Sequence, residues 1–169
     1  MKAISMTQPW ATLLAIGANE IETRGWSTRY CGPLAIHAAK NFPAAARALC
    51  RESPFREALA SAGYSDARQL PLGAIIARAE LVEVMSFDAT SAALIRARSE
   101  EGTLPPHEVD FGDFSAGRFG FVVRGVCQLR KPIPARGMLS LWEVPQELET
   151  QIVSSAQDRP AACRTVRAV

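Results

Sequence analysis

The stretch GANEIETR, residues 17–24, decides how the first part of the chain is predicted to fold. It follows a short segment whose apolar residues recur at helical spacing, and Gly17 is placed to end that helix in a left-handed conformation. Beyond the glycine, polar and apolar residues alternate, which is the period of a β-strand. Since side chains two residues apart on a strand point to the same face, Glu22 and Arg24 are predicted to project side by side. A carboxylate and a guanidinium in that arrangement either form a structural ion pair or line a ligand cleft.

Outward from this stretch, the chain divides into short strands and helices without a repeated βαβ unit. Further strands are predicted over residues 2–6, 34–38, 74–84, 119–126, 128–133 and 139–144. Helices are predicted before Gly17, between residues 43 and 62 with a break near Pro54, over residues 88–98, and from Pro145 onward. The polar run over residues 100–117 is predicted to be a loop, and the residues after Asp158 are predicted to fray. This pattern predicts an α+β domain built on a small β-barrel or a strongly curved mixed sheet with flanking helices.

The composition is typical of one compact domain and excludes several classes of protein. The chain has 169 residues, of which 48% are hydrophobic and 21% charged. Its formal net charge of +2 is too small to indicate a polybasic partner, so any contact with nucleic acid has to come from a local site. No apolar run reaches the roughly 18 residues of a membrane span, and the N-terminal residues lack the pattern of a secretory signal. We therefore expect a cytoplasmic protein without a membrane partner.

The sequence lacks the common motifs for metal, phosphate-loop and triad chemistry. The four cysteines never fall in a CxxC pair, and no Gly-rich phosphate loop, HExxH or GxSxG occurs. His37 and His107 are the two histidines, and neither lies near an obvious nucleophile in sequence. His37 sits among the apolar residues of a predicted strand, where a hydrogen-bonded core histidine is the expected outcome. No metal site and no cofactor are predicted.

Residues 8–10 (QPW) and 17–40 resemble the signature of the ASCH domain family, which belongs to the PUA-like superfamily. The family motif reads GxKxxExR, and the chain matches it at Gly17, Glu22 and Arg24 but has Asn19 where lysine is usual. Later segments extend the resemblance: LGAII at 72–76, ELV at 80–82, GFVV at 120–123, PIPARG at 132–137 and LWEV at 141–144. The resemblance implies a single ASCH/PUA-like domain over residues 1–150. That domain would carry a helical insertion at about 43–70 and a polar loop at about 100–117, followed by a C-terminal tail at 151–169.

The resemblance implies binding of RNA, a nucleotide or a modified nucleobase in a cleft formed by the GxNxxExR segment. Arg24 would donate paired hydrogen bonds to a phosphate or a base edge, and Glu22 would accept a hydrogen bond from an exocyclic amine. The remaining ligand-binding residues would be Asn19, Trp26, Thr28 and Tyr30, where the two aromatic rings are suited to stacking on an unpaired base. Trp26 is equally suited to filling the core of a small barrel. The near-neutral charge favours a small ligand or one flipped base over a long duplex.

A hydrolase is the alternative function, acting on an amide bond of a modified nucleoside or on an RNA phosphodiester. Family members that cleave such an amide are thought to use the motif lysine together with the residue at the position of Glu22. Asn19 occupies the lysine position in this chain, and an asparagine cannot supply an activated amine. Glu22 would instead act as a general base on water, with Arg24 or Lys40 stabilising the developing anion.

Two further interpretations stay open. The first treats Glu22 and Arg24 as a structural ion pair that fastens the first helix to the sheet, and Lys40 as a solvated surface residue. The second treats the chain as a protein-interaction or regulatory module that uses the polar stretch around residues 105–106 as its contact. The sequence does not identify a protein partner for such a module.

Overall fold

The computed structural model describes residues 1–157, and the predicted fraying after Asp158 lies outside the described residues. The strands are β1 Lys2–Met6, β2 Ile21–Arg24, β3 Gly32–Ala38, β4 Ala74–Ser86, β5 Phe119–Pro134 and β6 Leu141–Glu143. The α-helices are α1 Trp10–Ile16, α2 Ala44–Leu49, α3 Phe55–Ser61, α4 Ser91–Glu100, α5 Glu108–Phe111 and α6 Gln146–Gln157, and Ala67–Gln69 form a 3-10 helix. Within residues 1–157, none of these helices has both the length and the apolar character that crossing a bilayer requires.

The six strands form one mixed sheet in the order β2-β5-β4-β3-β1-β6. β1 and β3 run parallel, and the other neighbouring pairs are antiparallel. The sheet curls into a half-barrel with helices on its flanks, which confirms the predicted α+β fold with a strongly curved mixed sheet. Register shifts interrupt the long β4–β5 ladder, and such irregularities bend and twist the strands that contain them.

Helix α1 positions the start of β2, and its two ends are stabilised in different ways. At the N-terminus, the Gln8 side chain accepts a hydrogen bond from the Thr12 N–H at 3.1 Å and donates one to the Pro71 carbonyl at 2.8 Å. Gln8 therefore satisfies a free N–H group of the first turn and anchors the helix to the turn before β4. At the C-terminus, Gly17 has a φ of 76°, which confirms the predicted left-handed termination. Because a residue with a Cβ adopts this conformation at a cost, glycine lets the chain turn directly toward β2.

The main apolar core joins four strands of the sheet to helix α1. Its members include Ile4 on β1, Leu14 on α1, Leu34 on β3, Leu81 on β4 and Phe121 on β5, each at most 1% exposed. Burial of one such side chain contributes about 1.5–3 kcal/mol relative to leaving it in water. The face that α1 buries against the strands thus fixes the position of residues 17–24, which follow the helix.

A separate apolar cluster holds the Ala-rich helices of residues 43–70 against α1. Leu13 of α1 packs in this cluster with Phe42, Phe55 and Leu59, and Phe111 of α5 joins them. The rings of Phe55 and Phe111 meet edge to face with their centroids 5.0 Å apart. Helices α2, α3 and α5 are therefore assembled on the side of α1 that faces away from the main core.

Three regions differ from the expectations drawn from the sequence. Residues 119–134 form one continuous strand instead of two, because the irregularity near residue 127 is accommodated as register shifts against β4. The polar run of residues 100–117, predicted as a loop, contains the short helix α5. Helix α6 also continues to Gln157, past the start of the tail that the resemblance implied.

Candidate functional site

Glu22 and Arg24 project to the same face of β2 and contact each other. The Arg24 Nε lies 2.9 Å from Glu22 Oε1 as an ion pair. Both side chains remain partly exposed, at 12% for Glu22 and 23% for Arg24. The Arg24 Nη2 also donates a hydrogen bond to the Ser5 carbonyl at 2.8 Å. Since β2 and β1 are not neighbours in the sheet, this bond connects the two strands across the open side of the half-barrel.

The Glu22 carboxylate lines a cavity of about 420 Å³, which we call the acidic pocket. Asp110, Asp113 and Arg118 line the same cavity. The Arg118 Nε lies 3.2 Å from Asp113 Oδ2, so it offsets one of the three carboxylates. Burial raises the pKa of Glu22 above its usual value, and the positive charges of Arg24 and Arg118 oppose that shift. The pocket lining thus contains three carboxyl groups and one guanidinium, and the carboxyl group of Glu22 holds its proton more tightly than usual.

Aromatic rings form much of the remaining wall of the acidic pocket. Trp10, Phe55 and Phe111 all line it, and Phe55 packs edge to face against Trp10 with ring centroids 6.1 Å apart. Phe55 and Phe111 are buried, whereas Trp10 is half-buried. Trp10 is therefore the ring of this wall with the most surface to offer to a flat ligand.

A second cavity, of about 810 Å³, is called here the basic pocket. Ser5, whose carbonyl binds Arg24, lines this pocket together with His37, Lys40 and Arg136. None of its described lining residues is a carboxylate. Burial lowers the pKa of His37 below its usual value, so the imidazole is neutral at pH 7. Lys40 and Arg136 therefore give the pocket its positive charge.

The Arg24 side chain links the two pockets. Its Nε contacts Glu22, which lines the acidic pocket, and its Nη2 contacts Ser5, which lines the basic pocket. Arg24 itself lines neither pocket, but it contacts one lining residue of each. An amino-bearing ring suits the carboxylates of the acidic pocket, and an anionic group suits the cations of the basic pocket.

Asn19 and Lys40, two further residues of the predicted site, lie apart from the Glu22 carboxylate. Asn19 is 1% exposed, and its Nδ2 donates a hydrogen bond to the Ile21 carbonyl at 3.4 Å. It lines neither pocket and is placed to support the backbone at the start of β2. Lys40 is exposed and lines the basic pocket instead of the cavity that contains Glu22.

The aromatic residues proposed for base stacking also lie outside both pockets. Trp26 packs edge to face against Phe121 with ring centroids 4.9 Å apart, at the margin of the main core. The Thr28 hydroxyl accepts a hydrogen bond from the Tyr30 N–H at 3.1 Å, and the Tyr30 hydroxyl donates one to the Pro33 carbonyl at 2.6 Å. Trp26 therefore has a packing role, and the hydrogen bonds of Thr28 and Tyr30 stabilise the connection between β2 and β3.

Glu108 supports the site and was not predicted from the sequence. Its fully buried carboxylate accepts hydrogen bonds from the N–H groups of Glu20 at 2.8 Å and Ile21 at 2.9 Å. Burial raises the pKa of Glu108 to about 7, although the two hydrogen bonds oppose the shift. Its partners precede it by 88 and 87 residues, so no local pattern marks its role. Arg118 and Arg136 were missed for the same reason, since distant segments create the pockets that they line.

The described residues do not form a candidate metal centre. Across residues 1–157, no three His, Cys, Asp or Glu side chains stand close enough together to hold a metal ion.

Comparison with known proteins shows similarity in fold rather than in sequence. No protein-family model matches the chain, and no curated protein is similar to it in sequence. The crystal structure of ASCH from Zymomonas mobilis has a TM-score of 0.52 at 16% identity, over 90% of this chain and 93% of that chain. A tyrosine-to-phenylalanine mutant and a serine-to-alanine mutant of that protein give TM-scores of 0.52 and 0.51 at 14% identity. Both matches cover 90% of this chain. They cover 96% of the tyrosine-to-phenylalanine mutant's chain and 94% of the serine-to-alanine mutant's chain.

Proposed function

Because the chain has the fold of an ASCH domain, we propose that it binds RNA or a nucleotide-like ligand in the cleft around Glu22 and Arg24. The observation that carries this proposal is the partly exposed ion pair, in which Glu22 lines the acidic pocket and Arg24 contacts Ser5 of the basic pocket. The likeness of fold supports RNA as the ligand class.

The acidic pocket suits a nucleobase better than a phosphate group. Its carboxylates repel a phosphate, whereas a carboxylate accepts a hydrogen bond from an exocyclic amine such as cytosine N4. A volume of about 420 Å³ is typical of small-ligand sites. The half-buried ring of Trp10 provides a surface on which a flat base can stack. We assign Glu22 to the base edge and Arg24 to holding the Glu22 carboxylate in place.

The charge of the whole protein favours a small contact over an extended one. With a net charge of +2, the chain neutralises few phosphates, so its affinity for long RNA is expected to be weak and sensitive to salt. One unpaired base of an RNA, or a free nucleotide, is therefore the ligand that fits the acidic pocket best.

Cytidine and uridine make a matched pair of ligands for testing this proposal, since they have the same size and differ at two adjacent ring positions. Position 4 carries an amine in cytosine and a carbonyl in uracil, and N3 carries a hydrogen only in uracil. A carboxylate accepts from the cytosine amine but meets the lone pairs of the uracil carbonyl. We expect the protein to bind cytidine about tenfold more tightly than uridine in calorimetric titrations. Glu22→Gln keeps the size of the side chain, but its amide can rotate to suit either base, so the preference should disappear.

Arg29→Gln is the control for these titrations, because Arg29 is exposed and lines neither pocket. It should retain the preference for cytidine. Equal binding of the two nucleosides by the unmodified protein would contradict the proposal, as would a preference that survives in Glu22→Gln. Lower thermal stability of Glu22→Gln with unchanged binding would assign the ion pair a purely structural role.

Hydrolysis is the second candidate function, and the environment of Glu22 favours it. A carboxyl group with a raised pKa takes a proton from water more readily near neutral pH. Arg24 is the cation beside that carboxyl group, whereas Lys40 lines the other pocket. Turnover of acylated nucleosides or short RNAs that stops in Glu22→Gln would support hydrolysis. Turnover that continues in this variant would exclude Glu22 as the base.

A further inference from the structure

Two cations of the basic pocket have no acidic partner. Lys40 and Arg136 are both exposed, and within residues 1–157 neither forms an ion pair. No carboxylate lines the pocket with them. The proposed base recognition does not use either cation. Two free positive charges on one cavity, in a protein with a net charge of +2, attract an anion to that place.

The same turn of the chain fixes the segments that carry both cations. The Lys40 side chain packs on Gly73, where an added Cβ would lie 3.7 Å from Lys40 Cβ. The Ala135 N–H, next to Arg136, donates a hydrogen bond to the Gly73 carbonyl at 3.1 Å. Lys40 and Arg136 therefore extend from backbone that is already in place before any ligand binds.

The floor of the basic pocket contains a neutral histidine in a defined tautomer. His37 Nε2 lies 3.0 Å from the Ala135 carbonyl, and because a carbonyl only accepts hydrogen bonds, Nε2 carries the hydrogen. The Nδ1 atom is then a bare acceptor, and it has no hydrogen-bond partner in the described part of the chain. Gly137 passes directly over it, since an added Cβ would lie 2.7 Å from both His37 Nδ1 and Ser5 Oγ. Gly137 thus covers His37 Nδ1, so the imidazole is part of the pocket's packing and the two cations are its charged groups.

The lip of the basic pocket is apolar and exposed. Met138 and Leu139 both line the cavity, and they are 52% and 93% exposed. Apolar side chains beside free cations suit an anion that carries a flat or apolar body, because such a ligand covers the lip while its charge meets the cations. An inorganic anion would leave the lip uncovered.

We propose that the basic pocket binds the phosphate group of a nucleotide, with Lys40 and Arg136 as its cationic contacts. Arg136 offers paired donors to the phosphate oxygens, and Lys40 adds a point charge. This inference rests on the proposed function, to which it adds a substrate class: a phosphorylated nucleoside in place of a free one. Arg24 contacts Glu22 of the acidic pocket and Ser5 of the basic pocket.

The test compares cytidine 5′-monophosphate, cytidine and inorganic phosphate by calorimetric titration of the full chain. The monophosphate should bind at least about tenfold more tightly than cytidine. Lys40→Gln and Arg136→Gln should each remove most of that advantage and leave the affinity for cytidine unchanged. Lys131→Gln and Arg96→Gln change exposed cations that line neither pocket, and these controls should keep the full advantage.

The outcomes separate the phosphate site from the proposed base recognition. Equal binding of the monophosphate and cytidine would overturn the inference, and so would an advantage that persists in the double variant Lys40→Gln/Arg136→Gln. Cytidine binding that depends on Glu22 without any phosphate advantage keeps the proposed function and removes the phosphate site. Inorganic phosphate that binds through Lys40 and Arg136, without cytidine binding, supports the cationic site and contradicts the proposed function.

Discussion

Glu108 accepts the backbone N–H of Ile21 at 2.9 Å and thereby fixes the first residue of β2. Its other carboxylate oxygen accepts the N–H of Glu20 at 2.8 Å. Because β2 is an edge strand, these groups have no further strand to pair with, and a side chain from α5 takes that place. The Glu20 carboxylate in turn forms an ion pair with Arg124 on β5. The strand that carries the candidate site is thus held at its start by a buried carboxyl group.

Folding stability is predicted to fall as the pH rises from about 4.5 to about 7. Burial raises the pKa of Glu108 from 4.5 to about 7, so the folded protein keeps a proton that the unfolded chain has already released. The stabilisation is complete below the unfolded pKa and is lost as the pH rises through the folded pKa. It amounts to on the order of 3 kcal/mol. The raised pKa values of Glu20 and Glu22 act in the same direction, whereas the lowered pKa of His37 opposes them at pH values just below its usual value of 6.5. Urea denaturation at a series of pH values measures the change.

Glu108→Gln is predicted to flatten this pH dependence. Glutamine cannot titrate, and its amide can accept only one of the two N–H groups, so the variant should lose about 1–3 kcal/mol at pH 5. Since only the unmodified protein loses stability through Glu108 at higher pH, the gap between the two proteins should narrow by pH 8. Glu101→Gln, at an exposed position, should follow the unmodified protein throughout. A gap that stays constant or widens with pH would show that Glu108 does not titrate as its surroundings imply.

Arg24→Gln is predicted to destabilise the fold and to change the titration of Glu22. The variant removes the donor to the Ser5 carbonyl and leaves the largely buried Glu22 without its partner, which should cost about 1–3 kcal/mol. Since the charge of Arg24 lowers the pKa of Glu22, that pKa should rise further in the variant. Carboxyl ¹³C chemical shifts against pH measure the titration, and Arg29→Gln is the control. A Glu22 pKa that is unchanged or lower would show that the ion pair does not persist in solution.

Gly137→Ala is predicted to disturb the basic pocket by steric contact alone. The added Cβ would lie 2.5 Å from His37 Cε1, so the backbone of the segment has to shift, at a cost of about 1–3 kcal/mol. At Gly25 the nearest atom, Arg118 Nη1, is 3.9 Å away, and Gly25→Ala should stay within about 0.5 kcal/mol of the unmodified protein. Thermal denaturation of both variants makes the comparison. Similar melting temperatures of the two variants would mean that the backbone around Gly137 can move away from His37 without a measurable loss of stability.

Trp26→Phe is predicted to lower stability without affecting nucleoside binding. Trp26 packs on Phe121 and lines neither pocket, so a smaller ring loses core contacts and should cost about 1–3 kcal/mol. Calorimetric titration with cytidine should give the affinity of the unmodified protein. If binding is lost while the melting temperature is retained, Trp26 forms a wall of the cleft, as the resemblance to the ASCH family implies.

Local sequence patterns were sufficient to predict the elements that place the candidate site. The apolar spacing of residues 10–14, the left-handed glycine at 17 and the alternation that follows each act over a few residues, and α1 and β2 form accordingly. The same is true of the contact between Glu22 and Arg24, since their spacing alone puts both on one face of a strand. The series of short strands without a repeated βαβ unit also predicted the curved sheet, and the resemblance in residues 8–40 implied the same fold.

The pockets were beyond prediction because they are made by segments far apart in sequence. The acidic pocket needs Trp10 of α1, Glu22 of β2, Phe55 of α3 and Asp110 of α5, which no local pattern brings together. Trp26 is an aromatic residue of the kind that stacks on bases, yet its ring packs against Phe121. The continuity of β5 was also unpredictable, since a strand irregularity and a turn look alike until the partner strand is known.

The hydrogen bond from Arg24 to the Ser5 carbonyl joins β2 to β1, two strands that three others separate in the order of the sheet. A ligand that accepts a hydrogen bond from Arg24 Nη2 must break this contact, whereas a ligand that does not use Arg24 Nη2 leaves the two strands joined. Ligand binding that draws the Arg24 side chain away from Ser5 would therefore release the edge strand β2 from β1.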